Sequence, residues 1–219
     1  AAAKIQSQHV VRVLDTGRMP SGAPFMVMEY LEGEDLGHVL KRTGPLATNV
    51  VADYLLQACE AIGEAHAAGI VHRDLKPANL FLAKQRDRRS IVKVLDFGIS
   101  KLEDPKAAPL TGETTAMGSP HYMSPEQLIS SKDVDARSDI WSLGVILYEL
   151  IAGKRPFEGD TMPEVVGQVL NNEPARLSTL KEDVSIDLEL VVARCLASST
   201  KDRFQSVADL ARALAPFTT

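Results

Sequence analysis

The chain has 219 residues, 45% hydrophobic and 24% charged, with a formal net charge of -5. That length and composition suit a globular protein with a buried core, built as one large domain or two small ones. The acidic balance gives no footprint for nucleic acid, no apolar run approaches the ~20 residues of a membrane helix, and no signal peptide is visible.

Two cysteines, Cys59 and Cys195, lie far apart in apolar helical patterns. They read as buried free thiols, as expected of a reducing compartment.

In chain order, residues 1–5 read as the last turns of a helix with no cap before it. This gives the expectation of a piece of a longer chain, in which anchors or sensor domains could lie outside. Residues 10–14 read as a strand, Asp15, Thr16 and Gly17 as a turn, and 25–30 as a second strand ended by Glu32 and Gly33. The loop 20–24 between them supports a hairpin-like pair. A short helix is expected over 34–40. A long amphipathic helix is expected over 48–68, with Val51, Leu55, Ala58, Ile62 and Ala65 at three-and-four spacing and Gly69 as its left-handed stop.

Strands over 80–82 and 91–95 follow, joined by a basic turn with Lys84, Arg86, Arg88 and Arg89. That turn is either a solvated surface or a dock for an acidic partner. Residues 100–126 show no periodicity, and so long an irregular loop is usually functional. The remainder is helical: 138–152, strongly apolar around Trp141, then 162–170, 186–196 and 207–216. The order of elements predicts an α+β protein whose bulk is a helical lobe.

The chemistry concentrates in one stretch. His72, Arg73, Asp74, Leu75, Lys76, Pro77, Ala78 and Asn79 set an acid, a lysine and an amide on a short loop, and Asp96, Phe97 and Gly98 follow. An isolated Asp74 would more often cap a helix or pair with Arg73, Lys76 would be a solvated lysine, and Asn79 or Asp96 would be turn residues. Together and in this order they supply what phosphoryl transfer to a hydroxyl requires. That set is a carboxylate for the attacking group, a cation for the transferring oxygens, and two oxygen ligands for magnesium.

These motifs resemble the catalytic loop and the Asp-Phe-Gly of protein kinases, and the resemblance covers the whole chain. The run 118–126 is similar to the end of a kinase activation loop, with Ser124 where the family usually has Ala. Residues 139–144 are similar to its central buried helix, and 201–204 to the arginine motif before its last helix. The wording Asp74-Leu75-Lys76-Pro77 with Met123-Ser124-Pro125-Glu126-Gln127 resembles bacterial serine/threonine kinases of the eukaryotic-like (Hanks) type. The fold so implied is protein-kinase-like, mainly the helical C-lobe (32–219) with a remnant of the N-lobe (1–31) made of the end of a helix, two strands and the hinge.

The resemblance implies roles residue by residue. Asp74 is the catalytic base, Lys76 faces the γ-phosphate, and Asn79 and Asp96 hold Mg2+. Met28 would stand at the back of the adenine pocket of ATP, Glu29 and Leu31 would offer backbone groups, Asp35 would lie near the ribose or a basic peptide residue, and Phe81 would floor the base. Arg73 would read phosphorylation of the loop at Thr111, Thr114 or Thr115. Ser119 would shape the substrate floor, Glu126 and Arg203 would form a buried ion pair, and Asp139 would accept backbone N–H groups of the catalytic loop.

The family's glycine-rich loop, its third-strand lysine and the helix glutamate have no counterpart here; activity of these residues alone would demand another lysine, Lys4 or Lys93, in the phosphate-binding role. The expected activity is phosphorylation of Ser or Thr on proteins with ATP and Mg2+, by a cytoplasmic enzyme or the cytosolic part of a membrane-anchored one, with a homodimer as a candidate assembly. The 219 residues alone are expected to be inactive. A pseudokinase-like scaffold and a small-molecule phosphotransferase are the rival classes. The full acid and amide set speaks against the first, and Lys76 with 118–126 against the second.

Overall fold

The computed structural model describes residues 5, 7–85, 89–97, 120–130 and 134–218. Gly98, Thr111, Thr114, Thr115, Ser119, Lys4, Arg86 and Arg88 lie outside the described residues, as does most of the expected helix end at 1–5.

The first sheet is a two-stranded antiparallel hairpin, β1 (Val13–Arg18) and β2 (Pro24–Met28), with Val13 opposite Met28 and Arg18 opposite Pro24. Asp15, Thr16 and Gly17 belong to β1 and do not turn. Gly17 has no Cβ, and one placed there would stand 2.6 Å from the ring of Phe25, so the glycine admits the aromatic ring across the pair. The reversal falls instead at 19–22, where Gly22 takes φ 86° and its N–H donates to the Met19 carbonyl at 2.8 Å.

The expected strand over 10–14 is also split. Val10 and Val11 are both buried, which a surface hairpin cannot provide for adjacent residues. They run instead beside the second sheet, with Val94 N–H on the His9 carbonyl at 2.7 Å and Val11 N–H on the Val94 carbonyl at 3.1 Å.

The second sheet has three antiparallel strands in the order β3 (Gly33–Asp35), β4 (Leu80–Lys84) and β5 (Ser90–Val94). Gly33 sits at φ 145°, and a Cβ there would lie 2.1 Å from the Leu82 carbonyl oxygen, so this pairing requires glycine. Because 33–35 pair with β4, helix α1 (Leu36–Thr43) starts later than expected. Asp35 caps it by accepting from Gly37 and His38 N–H.

Helix α2 (Thr48–Ala67) buries Val51, Leu55, Ala58, Ile62 and Ala65 as the spacing predicts. Its end is a Schellman turn: Gly69 at φ 74°, with Gly69 N–H on His66 and Ile70 N–H on Ala65. Beyond the site come α3 (Pro125–Ile129), α4 (Ala136–Ala152), α5 (Met162–Asn171), α6 (Ile186–Cys195) and α7 (Val207–Leu214). The last helix stops short of its expected end, in a 3-10 turn around Pro216 that the missing proline N–H favours.

Helix α4 is the axis of the body. It is buried almost all round and packs against α2, α6 and α7. Trp141 stacks on Phe157 with ring centroids 5.6 Å apart. Gly144 lies against α6, where a Cβ would stand 2.4 Å from Cys195 Cβ. Cys59 and Cys195 are free and buried, and burial pushes the Cys59 thiol up to about 12.

Candidate active site

Residues 71–79 connect α2 to β4, and two helices hold them in place. Asp139, in the first turn of α4 and fully buried, accepts from His72 N–H at 2.9 Å with one oxygen and from Arg73 N–H at 2.9 Å with the other. His66, in the last turn of α2, adds its Nε2 to Asp139 at 2.7 Å. From α3, Gln127 Nε2 donates to the Arg73 carbonyl at 3.0 Å. The Arg73 peptide is therefore gripped from both sides, which stabilises its left-handed φ of 66°, a costly conformation for a substituted residue.

His72 links the two motif loops. Its Nε2 donates to the Leu95 carbonyl at 2.8 Å, its Nδ1 accepts from Asp74 N–H at 3.3 Å, and its ring lies 4.9 Å from that of Phe97. Burial lowers its pKa despite the nearby Asp139, in keeping with a neutral imidazole that donates on one side and accepts on the other. Leu95 is then held twice, since its own N–H donates to the Asn79 carbonyl at 2.9 Å. Asp96, the residue after Leu95, leaves this knot at φ 48° and is exposed.

The other members converge on Asp74. Lys76 Nζ lies 3.0 Å from Asp74 Oδ2. Asn79 Nδ2 donates to the Asp74 carbonyl at 2.7 Å and approaches its carboxylate at 3.4 Å. With its amide nitrogen engaged, Asn79 offers its oxygen to a ligand. An amide oxygen and an exposed carboxylate fit magnesium, a hard cation usually held by one or two protein oxygens together with phosphates and water. Among the described residues no group of three or more His, Cys, Asp or Glu could hold a metal, so a closed protein cage does not compete with that fit.

A hollow beside Asp74 is lined by Lys76, Tyr122, Met123 and Ser142. Ser142 Oγ holds the Tyr122 carbonyl at 2.8 Å, and Tyr122 OH donates to Glu149 at 2.6 Å. Burial raises the Glu149 carboxyl above its ordinary range.

The nucleotide candidates are placed less simply. Phe81 on β4 is directly opposite Asp35 on one side and Lys93 on the other, so the three share a sheet face. Asp35 is occupied by its cap and by His38 Nδ1. Met28 is 39% exposed rather than enclosed. Glu29 N–H donates to the Arg12 carbonyl at 3.0 Å. Leu31 is partly buried. Lys93, one of the two lysines that activity of these residues alone would call on for phosphate, is buried and held by Glu29 at 2.7 Å.

Three contributors escaped the sequence reading. Gln127 was findable, because Ser124 with Gln three residues on is a capping box, and both of its bonds form here. His66 and the Glu29–Lys93 pair carried no local signal, since their partners lie far away in sequence.

The profile of the protein kinase domain matches residues 1–213. The chain is 39% identical over 207 residues to serine/threonine-protein kinase pkn3 of Myxococcus xanthus, covering 93% of this chain and 38% of that protein. It is 37% identical over 212 residues to serine/threonine-protein kinase PknB of Mycolicibacterium smegmatis, covering 95% and 33%. The kinase domain of PknI from Mycobacterium tuberculosis superposes with a TM-score of 0.76 at 27% identity, over 99% of this chain and 75% of that one. The chain belongs to the protein kinase domain family, with the α+β kinase fold, and spans little more than a third of the curated relatives it matches. No helix among the described residues is long and apolar enough to cross a membrane.

Proposed function

We propose that the protein transfers the γ-phosphoryl group of ATP to Ser or Thr hydroxyls of protein substrates. The observation that carries this reading is the convergence of Lys76 and Asn79 on Asp74, on a loop clamped by Asp139 and Gln127, with Asp96 leaving the Leu95 knot. Asp74 orients the attacking hydroxyl and accepts its proton. Lys76, drawn to the same carboxylate, meets the negative charge that spreads over the phosphoryl oxygens. Asn79 and Asp96 would hold magnesium, which when bound neutralises phosphate charge. Phe81, Met28, Leu31 and the carbonyl of Glu29 bound the adenine, and the hollow at Tyr122, Met123 and Ser142 receives the substrate chain.

Residues 1–31 are the N-lobe part and 32–219 the C-lobe, in a cytosolic enzyme or cytosolic domain. Arg73 pairs with a phosphate at Thr111, Thr114 or Thr115 once that loop is modified. The alternative, a kinase-like binding scaffold, draws on the sequestration of Lys93 by Glu29.

A phosphotransfer assay separates the two. The full-length natural protein, given ATP, magnesium and casein, labels Ser and Thr, and Asp74→Asn abolishes the label. Nucleotide binding with no Asp74-dependent label overturns the enzyme reading in favour of the scaffold.

A further inference from the structure

Lys93 is a strand residue only 8% exposed, and an ammonium is costly to bury unless paired. Its partners are specific. Nζ donates to Glu29 Oε1 at 2.7 Å and to the Val10 carbonyl at 3.4 Å. The same Glu29 oxygen accepts from Arg12 N–H at 2.9 Å, and Glu29 N–H returns to the Arg12 carbonyl at 3.0 Å.

One ammonium on β5 thus ties together the second sheet, the segment 9–12 beside it, and the end of the hairpin. Glu29 is fixed at its carboxylate and at its amide, and it stands where the chain leaves β2 for β3. Lys93 itself projects from the sheet face that carries Phe81, its register partner. An apolar contact at this junction would be non-directional and could slide. A buried ion pair at hydrogen-bond distance does not slide, and setting register is the best-attested use of such pairs.

We infer that Lys93 is a positioning residue for nucleotide binding: through Glu29 it fixes the segment 29–31 relative to Phe81. The inference rests on the nucleotide reading above and gives Lys93 a role distinct from holding phosphate. Burial alone would push the Glu29 carboxyl upward, but the bonds from Lys93 and Arg12 outweigh it, and its pKa lies below the ordinary 4.5. Glu29 is therefore ionised at neutral pH.

The experiment uses the full-length natural protein and a fluorescent ATP analogue with magnesium, with amide exchange followed at Arg12, Glu29 and α4. Lys93→Met weakens the analogue by about tenfold or more, a loss of ~1.4 kcal/mol of binding or greater. It also speeds exchange at Arg12 and Glu29 while α4 stays protected. Adding Glu29→Gln to Lys93→Met costs little further, because both act on one link. Parent-like affinity in a folded Lys93→Met, or parent-like exchange at both amides, overturns the inference. So does exchange that accelerates equally in α4, which would make Lys93 a general stabiliser. If Lys93→Met does not fold, Glu29→Gln, which keeps volume, is judged by the same criteria. A parent that binds no nucleotide sinks the kinase reading itself, whereas a binding parent with an indifferent Lys93→Met sinks this inference alone.

Discussion

Arg203 lays its two terminal nitrogens on the two oxygens of Glu126, Nη1 to Oε1 at 2.7 Å and Nη2 to Oε2 at 2.8 Å. The guanidinium is fully buried, and its other N–H groups reach the carbonyls of Ala197, Arg137 and Ser198. It also lies 5.0 Å from the Trp141 ring. Ser138 adds a bond to Glu126 at 2.7 Å. One ion pair therefore fastens α3, which grips the Arg73 carbonyl, to α4 and to the loop after α6.

Glu126→Ala leaves that guanidinium buried without its anion. Breaking a buried pair from one side costs roughly 3–5 kcal/mol. The variant is expected to melt far below the parent or fail to fold, by calorimetry or denaturant titration. A loss below about 0.5 kcal/mol, the scale of a surface change, would contradict the burial.

The same pair sets a pH dependence. Burial pushes the Glu126 carboxyl upward, but bonds from Arg203 and Ser138 more than offset this and hold it below the ordinary 4.5. A depressed acid contributes stability that is complete above its unfolded pKa and is lost as pH falls through its folded pKa. The melting gap between parent and Glu126→Gln should be widest above about pH 5 and close on acidification. A gap that widens toward acid would refute the assignment.

Asp74→Asn keeps the shape of the loop but removes the proton acceptor. Turnover of the full-length protein is expected to fall by at least ~100-fold, the lower range for a positioned acid–base group, with nucleotide affinity nearly unchanged. Initial rates and a binding titration check both. A variant that turns over normally would remove Asp74 from the base role.

Gly144→Ala sets two effects against each other. Alanine is the better helix former by about 1 kcal/mol. Its Cβ, however, would stand 2.4 Å from Cys195 Cβ, an atom fixed to the backbone of α6. Overpacking of that kind costs about 1–3 kcal/mol, so a net destabilisation is expected in a denaturant melt. A stabilised variant would show that α4 and α6 can separate at no cost.

The helices were legible because periodicity is local: 48–68 and 138–152 were read nearly to the residue, including the Gly69 stop. The acid and amide set was legible as a run of letters, and the fold then brought Lys76 and Asn79 onto Asp74. Other features depended on partners distant in sequence. Asp15, Thr16 and Gly17 look like a turn, yet Phe25 across the pair makes them strand. Val10 and Val11 look continuous with 12–14, yet β5 claims them. Lys93 looks like a free cation on a strand, and only the arrival of Glu29 beside it explains its burial. Exposure likewise has no local signal, so the 39% exposure of Met28 could not be read from its neighbours in sequence.

Strand β2 gives the last prediction. Phe25, Met26, Val27 and Met28 are each 39–43% exposed, and Leu14 on β1 and Tyr30 beyond β2 are more exposed still. Alternate residues of a strand face opposite sides, so both faces of this hairpin present apolar surface. A contiguous patch of that kind tends to associate. Lys93, being tied to Glu29, does not offer its charge to phosphate there. The 219 residues expressed alone are therefore expected to self-associate, bind ATP weakly and show no measurable phosphotransfer. Phe25→Lys with Val27→Glu should shift the chain toward monomer on a sizing column, without restoring ATP binding. A wild-type chain that elutes as a monomer, or that phosphorylates casein in an Asp74-dependent way, would contradict this account of the hairpin.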